Sequence, residues 1–355
     1  MATKTFTDQL RDHPTFGFAD WVLRGIGQVV FQNNPISGAV ILAAIFYNSW
    51  IYGTVCLFGT IISTLTAIGF KADRGMIKDG LFGFNGALIA IALVAYTSKD
   101  FATGNMPNGY LWLYIVLCAA FTSILVPAIG AIMGPHKVPG LTMPFVLATW
   151  FFLGALFQFT TIDVSDALKP TSPSDFTGPR PGYTWVTWFH GITMGIAEIF
   201  FQDNWVAGVV ILVGIAINTR IGALMGSTLA VASAVTYGAH DEAIRDGLFG
   251  YNAALTAMAL GGLFYVLNVP GFLYTVIGVF VTARVWASLG IFLEPSGMPV
   301  LTSAFVLVTW LMLLAKNAFP TLIPVVPAEA TTPEDNLRRY RGDQKKYTTS
   351  NESVG

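Results

Sequence analysis

One phrase occurs twice in this chain. Asp79 to Leu93 reads DGLFGFNGALIAIAL and Asp246 to Leu260 reads DGLFGYNAALTAMAL, identical at eleven of fifteen positions and 167 residues apart. Neighbouring phrases return in the same order. GIGQVVFQNNPISGAVIL from Gly25 becomes GIAEIFFQDNWVAGVVIL from Gly195, and LTMPFVLATW from Leu141 becomes LTSAFVLVTW from Leu301. Two halves of the chain therefore carry the same parts in sequence, and any fold must accommodate both copies.

The solvent of that fold follows from composition. Hydrophobic residues make up 54% of the chain and charged residues 11%, against about 25% charged residues in a soluble domain. Mean hydropathy is +0.62. Lipid is the solvent such a chain suits, and in membrane chains duplicated halves commonly pack about a pseudo-twofold axis with a binding site where they meet. The net charge of −1 leaves no basic field for nucleic acid. Cys56 and Cys118 lie singly in apolar runs and read as small core side chains. His13, His136, His190 and His240 lack ligand spacing, so no metal site is assigned.

Each half offers five longer apolar stretches: roughly 37–51, 55–68, 81–96, 110–133 and 142–159, then 207–218, 222–235, 248–267, 272–292 and 302–319. Several are shorter than the roughly 20 residues of a straight spanning helix, and Gly interruptions are compatible with broken helices. Each half also opens on a shorter apolar segment, 18–31 and 185–201, stopped by QNNP or QDNW. A helix ending there leaves its last carbonyls unpaired. At membrane depth such backbone persists only where it is buried in protein or lines a wet cavity. The two segments are thus candidate pore helices entering from opposite sides.

Five crossings is an odd number, which inverts the second copy relative to the first. Lys and Arg placement gives an independent reading. With the N-terminus inside, the inside segments hold Lys4, Arg11, Lys71, Arg74, Lys78, Lys137, Arg220 and the cluster Arg338, Arg339, Arg341, Lys345 and Lys346. The outside loops hold only Lys99, Lys169, Arg180 and Arg245, as the positive-inside rule requires. The expected architecture is an all-α integral membrane protein with two inverted five-helix repeats, each with a half-length tilted pore helix, about ten transmembrane helices in all. Residues 1–17 form an N-terminal surface segment, read as a short amphipathic helix or a soluble cap, without the apolar stretch of a signal peptide. The first repeat covers 18–160, a Pro-rich linker 161–184, the second repeat 185–320 and a polar tail 321–355. The tail has no apolar face to bury and reads as mostly disordered. Both termini fall on the cytoplasmic side of a multi-pass protein of the cell membrane.

FQNNPISG with FQDNWVAG, the paired DGLFG[FY]N phrases and the paired LT-x-[PA]-F phrases resemble the urea transporter family across about residues 18 to 320. Any one phrase is weak, but all six in order at repeat spacing are specific. The resemblance implies a channel-like path for urea, a homotrimer with a pore in each subunit, lipid around it, and no cofactor. Urea is small, planar and neutral, with four N–H donors and one carbonyl. A pore must replace its water hydrogen bonds, because each buried donor left unmatched costs on the order of 1–3 kcal/mol. The last turns of the half-helices offer the backbone oxygens of Gln28, Val29 and Phe31 and of Glu198, Ile199 and Phe201, with the Gln28 and Glu198 side chains adding to each ladder. By similarity to the family, the walls of two flat slots are Phe31 and Phe84 at one constriction and Phe201 and Tyr251 at the other, with Leu88 and Leu255 beside them. Thr142 and Thr302 resemble the family's central threonines, whose hydroxyls bridge the slots. Tyr251 departs from the expected phenylalanine, and its hydroxyl needs a partner when buried.

Glu198 is an ionisable group in a membrane segment and so a functional residue by default. Its repeat partner is neutral Gln28, so the symmetry asks only for an acceptor oxygen, which either protonation state supplies. The alternative is an ion-coupled symporter of a small neutral amide or amine, in which Glu198 cycles its charge with help from Asp203. Structural roles compete elsewhere. Thr142 and Thr302 could bond back to their own helices, Asn85 and Asn252 read as helix-linking amides, Gly83 and Gly250 as close-packing positions, and Asp79 and Asp246 as N-caps of the helices that follow. Arg284 could snorkel, pair with Glu294 or bind lipid. No Ser/His/Asp set, His or Cys cluster or phosphate loop is present, since GLFG lacks the Lys and hydroxyl of such a loop, and an enzyme is not expected.

Overall fold

The computed structural model describes residues 6–97, 109–159, 161–162, 165, 168, 170–171, 182–326 and 330–352. Lys4, Lys99, Lys169, Arg180 and most of the expected linker lie outside them. The first half runs α1 (Phe6–Arg11), α2 (Gly17–Gln28), α3 (Pro35–Asn48), α4 (Trp50–Gly69), α5 (Arg74–Lys78), α6 (Gly83–Thr97), α7 (Gly109–Met133) and α8 (Met143–Leu156). The second half runs α9 (Trp185–Ala197), α10 (Trp205–Asn218), α11 (Arg220–Thr236), α12 (Asp241–Arg245), α13 (Tyr251–Met258), α14 (Val269–Leu293) and α15 (Ser303–Leu314). A further helix, α16 (Pro333–Glu352), follows.

The repeated phrases place the helix starts. Asn34 and Asn204 are extended residues whose Oδ1 atoms accept from the first amides of α3 and α10, Asn34 from Ile36 at 2.9 Å and Asn204 from Val206 at 2.8 Å. Pro35 at the first position of α3 lacks only an amide that has no helical partner there. Ser49 and Thr219 cap α4 and α11 in the same way. Polar caps thus punctuate a sequence whose helices are otherwise apolar nearly all round.

Among the described residues, three helices are long and apolar enough alone to cross a bilayer: α4, α7 with its following turn to His136, and α14 with its turn to Ser296. A fourth apolar unit is α9, its turn to Phe200 and α10, bent by 79°. The remaining apolar helices α3, α6, α8, α11 and α15 are shorter. Outward-facing Leu113, Leu117, Ile132, Leu273, Ile277 and Phe292 are exposed on α7 and α14, as expected of lipid-facing surfaces. Cys56 and Cys118 are buried and unpaired with each other, as core residues.

The halves meet through matched contacts. Asn48 at the end of α3 donates to Gln202 Oε1 at 3.1 Å, and Asn218 at the end of α10 donates to Gln32 Oε1 at 2.9 Å. Trp150 Nε1 donates to the Pro299 carbonyl at 2.8 Å, and Trp310 Nε1 to the Pro139 carbonyl at 2.9 Å. Each bond has a partner of the same residue types with the halves exchanged. Between them, α3 packs on α10 so closely that a Cβ on Gly214 would lie 3.1 Å from Ile41 Cγ1.

Three expectations are corrected. The tail is helical over Pro333–Glu352, because it docks by polar contacts that an apolar-face argument does not register. Asn336 Nδ2 donates to the carbonyls of Gly262 and Leu263, and Glu334 accepts from Thr219 Oγ1 at 2.7 Å and from the Ile221 amide at 2.9 Å. Those carbonyls are freed where the stretch 248–267 breaks: α13 stops at Met258 and passes into a wide turn, with Gly261 and Gly262 in non-helical conformations. Asp79 and Asp246 do not cap the following helices. They end α5 and α12, and the left-handed Gly80 and Gly247 intervene. Asp79 instead pairs with Arg11 at 2.7 Å and accepts from Asn33. Arg284, read as snorkelling, pairing with Glu294 or binding lipid, has its guanidinium stacked 3.8 Å from the centre of the Tyr237 ring, a partner outside those three.

Burial pushes the Glu334 carboxyl up, but hydrogen bonds from the Ile221 amide, the Thr219 hydroxyl and the Glu334 and Arg220 backbone together outweigh it and hold the group below the ordinary glutamate value. A depressed folded-state value means that the tail's docking energy is present above the unfolded value of about 4.3 and is lost as pH falls through the folded one. Limited proteolysis of a C-terminal tag between neutral and acid pH is expected to show protection at neutral pH that disappears on acidification. Glu334→Gln is expected to give faster cleavage than wild type at neutral pH and a weaker pH dependence.

Candidate functional site

Both short helices end on a phenylalanine in the left-handed region, Phe31 at φ 63° and Phe201 at φ 58°. A side chain held there costs about 1–2 kcal/mol, and the same conformation recurs at Leu141 (φ 52°) and Leu301 (φ 54°), the residues before Thr142 and Thr302. Four strained residues in two matched pairs mark a place the rest of the protein over-determines.

The turns use up some carbonyls and leave others. The Phe31 amide donates to the Gln28 carbonyl at 3.0 Å, and the Phe201 amide to the Glu198 carbonyl at 3.0 Å. Gln32 and Gln202 fold back so that their Nε2 atoms donate to the carbonyls of Val30 and Phe200, both at 2.6 Å. Among the described residues, no hydrogen bond reaches the carbonyls of Val29, Phe31, Ile199 or Phe201. Of the six backbone oxygens expected in the two ladders, those of Gln28 and Glu198 are thus partly committed and the other four are open.

Gln28 and Glu198 are half-buried side chains at matched positions. Gln28 Nε2 is tethered to the Asp79 carbonyl at 2.9 Å, which fixes the amide and leaves its oxygen on the opposite arm. Phe31 and Phe84, like Phe201 and Tyr251, are half-buried, while Leu88 and Leu255 are fully buried one turn beyond Phe84 and Tyr251 on α6 and α13. The expected wall partners do not stack: no ring pair joins Phe31 to Phe84 or Phe201 to Tyr251 among the described residues. Phe31 instead meets Phe264 and Phe305 edge-on, centroids 6.0 Å apart in each case. Phe201 meets Tyr96 at 6.0 Å and Phe145 at 6.4 Å, also edge-on. Each half-helix ring is therefore braced by two aromatics of the other half.

Thr142 and Thr302 do not bond back to their own helices. Their hydroxyls lie 2.7 Å apart across the junction of the two halves, and both residues are buried. Asn85 and Asn252 hold the segments bearing them. Asn85 Oδ1 accepts from the Phe145 amide at 3.1 Å and Asn252 Oδ1 from the Phe305 amide at 2.8 Å. Gly83 and Gly250 are close-packing positions as expected, since a Cβ on Gly250 would lie 2.8 Å from Gly195 Cα.

Tyr251 stands where the first half has Phe84 and is one inequality between the halves. Its hydroxyl donates to the Leu301 carbonyl at 2.8 Å and accepts from Trp286 Nε1 at 2.9 Å. The partner demanded by its burial is thus found beside Thr302. A second inequality is the ion pair of Asp20 with Arg24 at 2.7 Å, both nearly inaccessible to solvent. Arg24 also donates to Asn33 Oδ1 at 2.8 Å and to the carbonyls of Asn33 and Thr7, clamping α2 to the loop after it. The matching positions in α9 are His190 and Met194.

Sequence reasoning missed Gln32, Gln202, Phe145, Phe305, Trp150 and Trp310 as parts of the site. All six stand at identical places in the repeated phrases FQ, PF or AF, and TW. That identity was the available signal.

Duplicated halves of apolar helices, with two helix ends stopped inside the protein, define an all-helical membrane protein. The chain belongs to the urea transporter family, whose model matches residues 19–317. It is 32% identical to urea transporter 1 of Ovis aries over 97% of this chain and 89% of the relative, and likewise 32% identical to that of Capra hircus. Urea transporter 1 of Rattus norvegicus is 30% identical over 98% of the chain and 90% of its own length. Membership makes the protein a transporter and not an enzyme.

Tyr251→Phe, which installs the residue of the matching slot, leaves Trp286 Nε1 without its acceptor. The expected loss is about 1–3 kcal/mol of stability, seen as a lower melting temperature of the purified protein. Arg24→Ala strands the Asp20 carboxylate and is expected to cost about 3–5 kcal/mol. Asp20→Leu with Arg24→Met should recover most of it in the same assay.

Proposed function

We propose that the protein conducts urea passively through each subunit, down its gradient, along a narrow path between the two stopped half-helices. The observations that carry this reading are the matched set of open carbonyls, Val29 with Phe31 and Ile199 with Phe201, and the Thr142–Thr302 hydroxyl pair that joins the two halves. Acceptors already held by strained backbone need no reorganisation to take urea's N–H donors, and their fixed spacing limits how tightly it binds. Family membership and the names of the relatives support urea as the cargo.

Gln28 and Glu198 serve as the side-chain rungs of the ladders. Phe31 with Phe84 and Phe201 with Tyr251 serve as slot walls, held apart far enough that neither pair stacks, with Leu88 and Leu255 behind them. Thr142 and Thr302 hand the solute from one slot to the other. The reciprocal Gln–Asn and Trp–carbonyl bonds support two inverted repeats, 18–160 and 185–320, with about ten crossings and both termini on the cytoplasmic face of the cell membrane. Three such subunits form a homotrimer in lipid.

Stopped-flow light scattering on vesicles containing the purified protein distinguishes this from ion-coupled transport through Glu198. The expected result is urea flux that is independent of sodium and proton gradients and saturates only at high concentration, with dimethylurea competing. Accumulation against a gradient that an ionophore collapses would refute the passive reading. Glu198→Gln places the partner residue of the first half in the second and is expected to retain substantial flux. Complete loss in a well-folded Glu198→Gln protein would show that the charge itself is needed.

A further inference from the structure

The turns after α7 and α14 stand at matching places in the two halves but carry different residues. In the second half, the turn after α14 ends on the left-handed Gly297 (φ 68°), and Leu168 and Pro170 lie directly against it. The Leu168 carbonyl would be 2.1 Å from a Cβ at Gly297, the Leu168 side chain is fully buried, and the Thr171 amide donates to the Glu294 carbonyl at 3.1 Å. Upstream, the Ser165 amide donates to the Tyr96 carbonyl at 3.0 Å.

In the first half, the turn after α7 ends at the matching position on Lys137, in the same left-handed conformation (φ 55°). A glycine suffices for that backbone, yet the chain carries a long cationic side chain there. The Val325 amide donates to the Phe264 carbonyl at 2.8 Å, in the way that Ser165 donates to Tyr96. Beside it lies a pocket of about 340 Å³ whose lining includes the basic residues His136, Lys137 and Lys316 and the apolar residues Phe264, Leu313 and Val325. Lys316 stands where the first half has Leu156. Its ammonium is held on the His136 carbonyl at 2.5 Å, close to the Lys137 carbonyl at 3.3 Å. Among the described residues, no carboxylate lines this pocket and neither lysine forms an ion pair.

We propose that this pocket binds one anionic phospholipid, its phosphate between Lys137 and Lys316 and the start of an acyl chain against Phe264, Leu313 and Val325. Charge complementarity selects an anion, and the apolar wall selects an amphiphile over a free ion. Exposed Leu314 and Val326 at the rim of the pocket continue the apolar surface towards the bilayer. Basic pockets at the ends of membrane helices on the cytoplasmic face hold anionic headgroups in this manner. Because Phe264 packs edge-on against Phe31, the lipid would also brace the ring of the first slot from behind. The inference rests on the membrane reading of the chain and not on which solute crosses it.

Native mass spectrometry of the purified protein tests the site, with phosphatidylglycerol and phosphatidylcholine of identical acyl chains as probes. The expected result is selective retention of one phosphatidylglycerol, falling about fivefold for each lysine removed, in Lys137→Gly and Lys316→Leu. Both replacements are the residues at the matching positions of the opposite half. Lys137→Gly also relieves the left-handed strain, so its melting temperature in phosphatidylcholine should not fall, whereas a purely structural lysine would leave the lipid preference unchanged. Equal retention of the two lipids by wild type, or undiminished preference in the double variant, overturns the proposal. Displacement of the bound lipid by inorganic phosphate alone overturns the lipid as the occupant.

Discussion

A helix that stops inside an apolar protein leaves its last carbonyls without helical amides, and the rest of this structure is arranged around two such stops. Phe31 and Phe201 end the helices by entering the left-handed region. Gln32 and Gln202 then turn back to satisfy one carbonyl each and reach across to Asn218 and Asn48 of the opposite half. The strained turn in one half is therefore held by an amide of the other.

The same dependence governs the aromatics. An isolated phenylalanine at the end of a helix would rotate freely. Here two edge-on rings from the other half limit each one. Matched bracing sets equal positions, while the residues that break the match tune each end. In the second half Tyr251 is tied to Leu301 and Trp286. The first half-helix is instead fastened by the buried Asp20–Arg24 pair, a costly group to bury and a rigid one once its remaining donors are used. The Gly261–Gly262 break, absent from the straight helix α6, opens a seat for α16. A common scaffold thus carries two unlike ends.

Much of the fold was legible because membrane helices are written in apolar runs and polar stops. The stretches 110–133 and 272–292 became α7 and α14 almost unchanged, and QNNP and QDNW marked both half-helix ends. What was not legible follows from polar chemistry that composition averages away. The tail forms α16 although it has no apolar face, since Glu334 and Asn336 dock on helix-end amides and carbonyls set by distant residues. Asp79 precedes a helix in sequence, but the left-handed Gly80 turns the chain before that helix begins, and the carboxylate pairs with Arg11 instead.

By itself the sequence determined that two equivalent apolar halves exist, that each begins with a helix too short to cross, and which oxygen-bearing and aromatic residues recur at those ends. These are properties of order and periodicity, which an internal repeat exposes without any alignment. Only the tertiary structure decided which carbonyls remain open after the turns close, that Thr142 and Thr302 face each other at 2.7 Å, and that Phe264 and Phe305 meet the Phe31 ring edge-on. The first depends on how each turn closes, and the other two on contacts between residues more than a hundred positions apart, where two copies of one pattern meet.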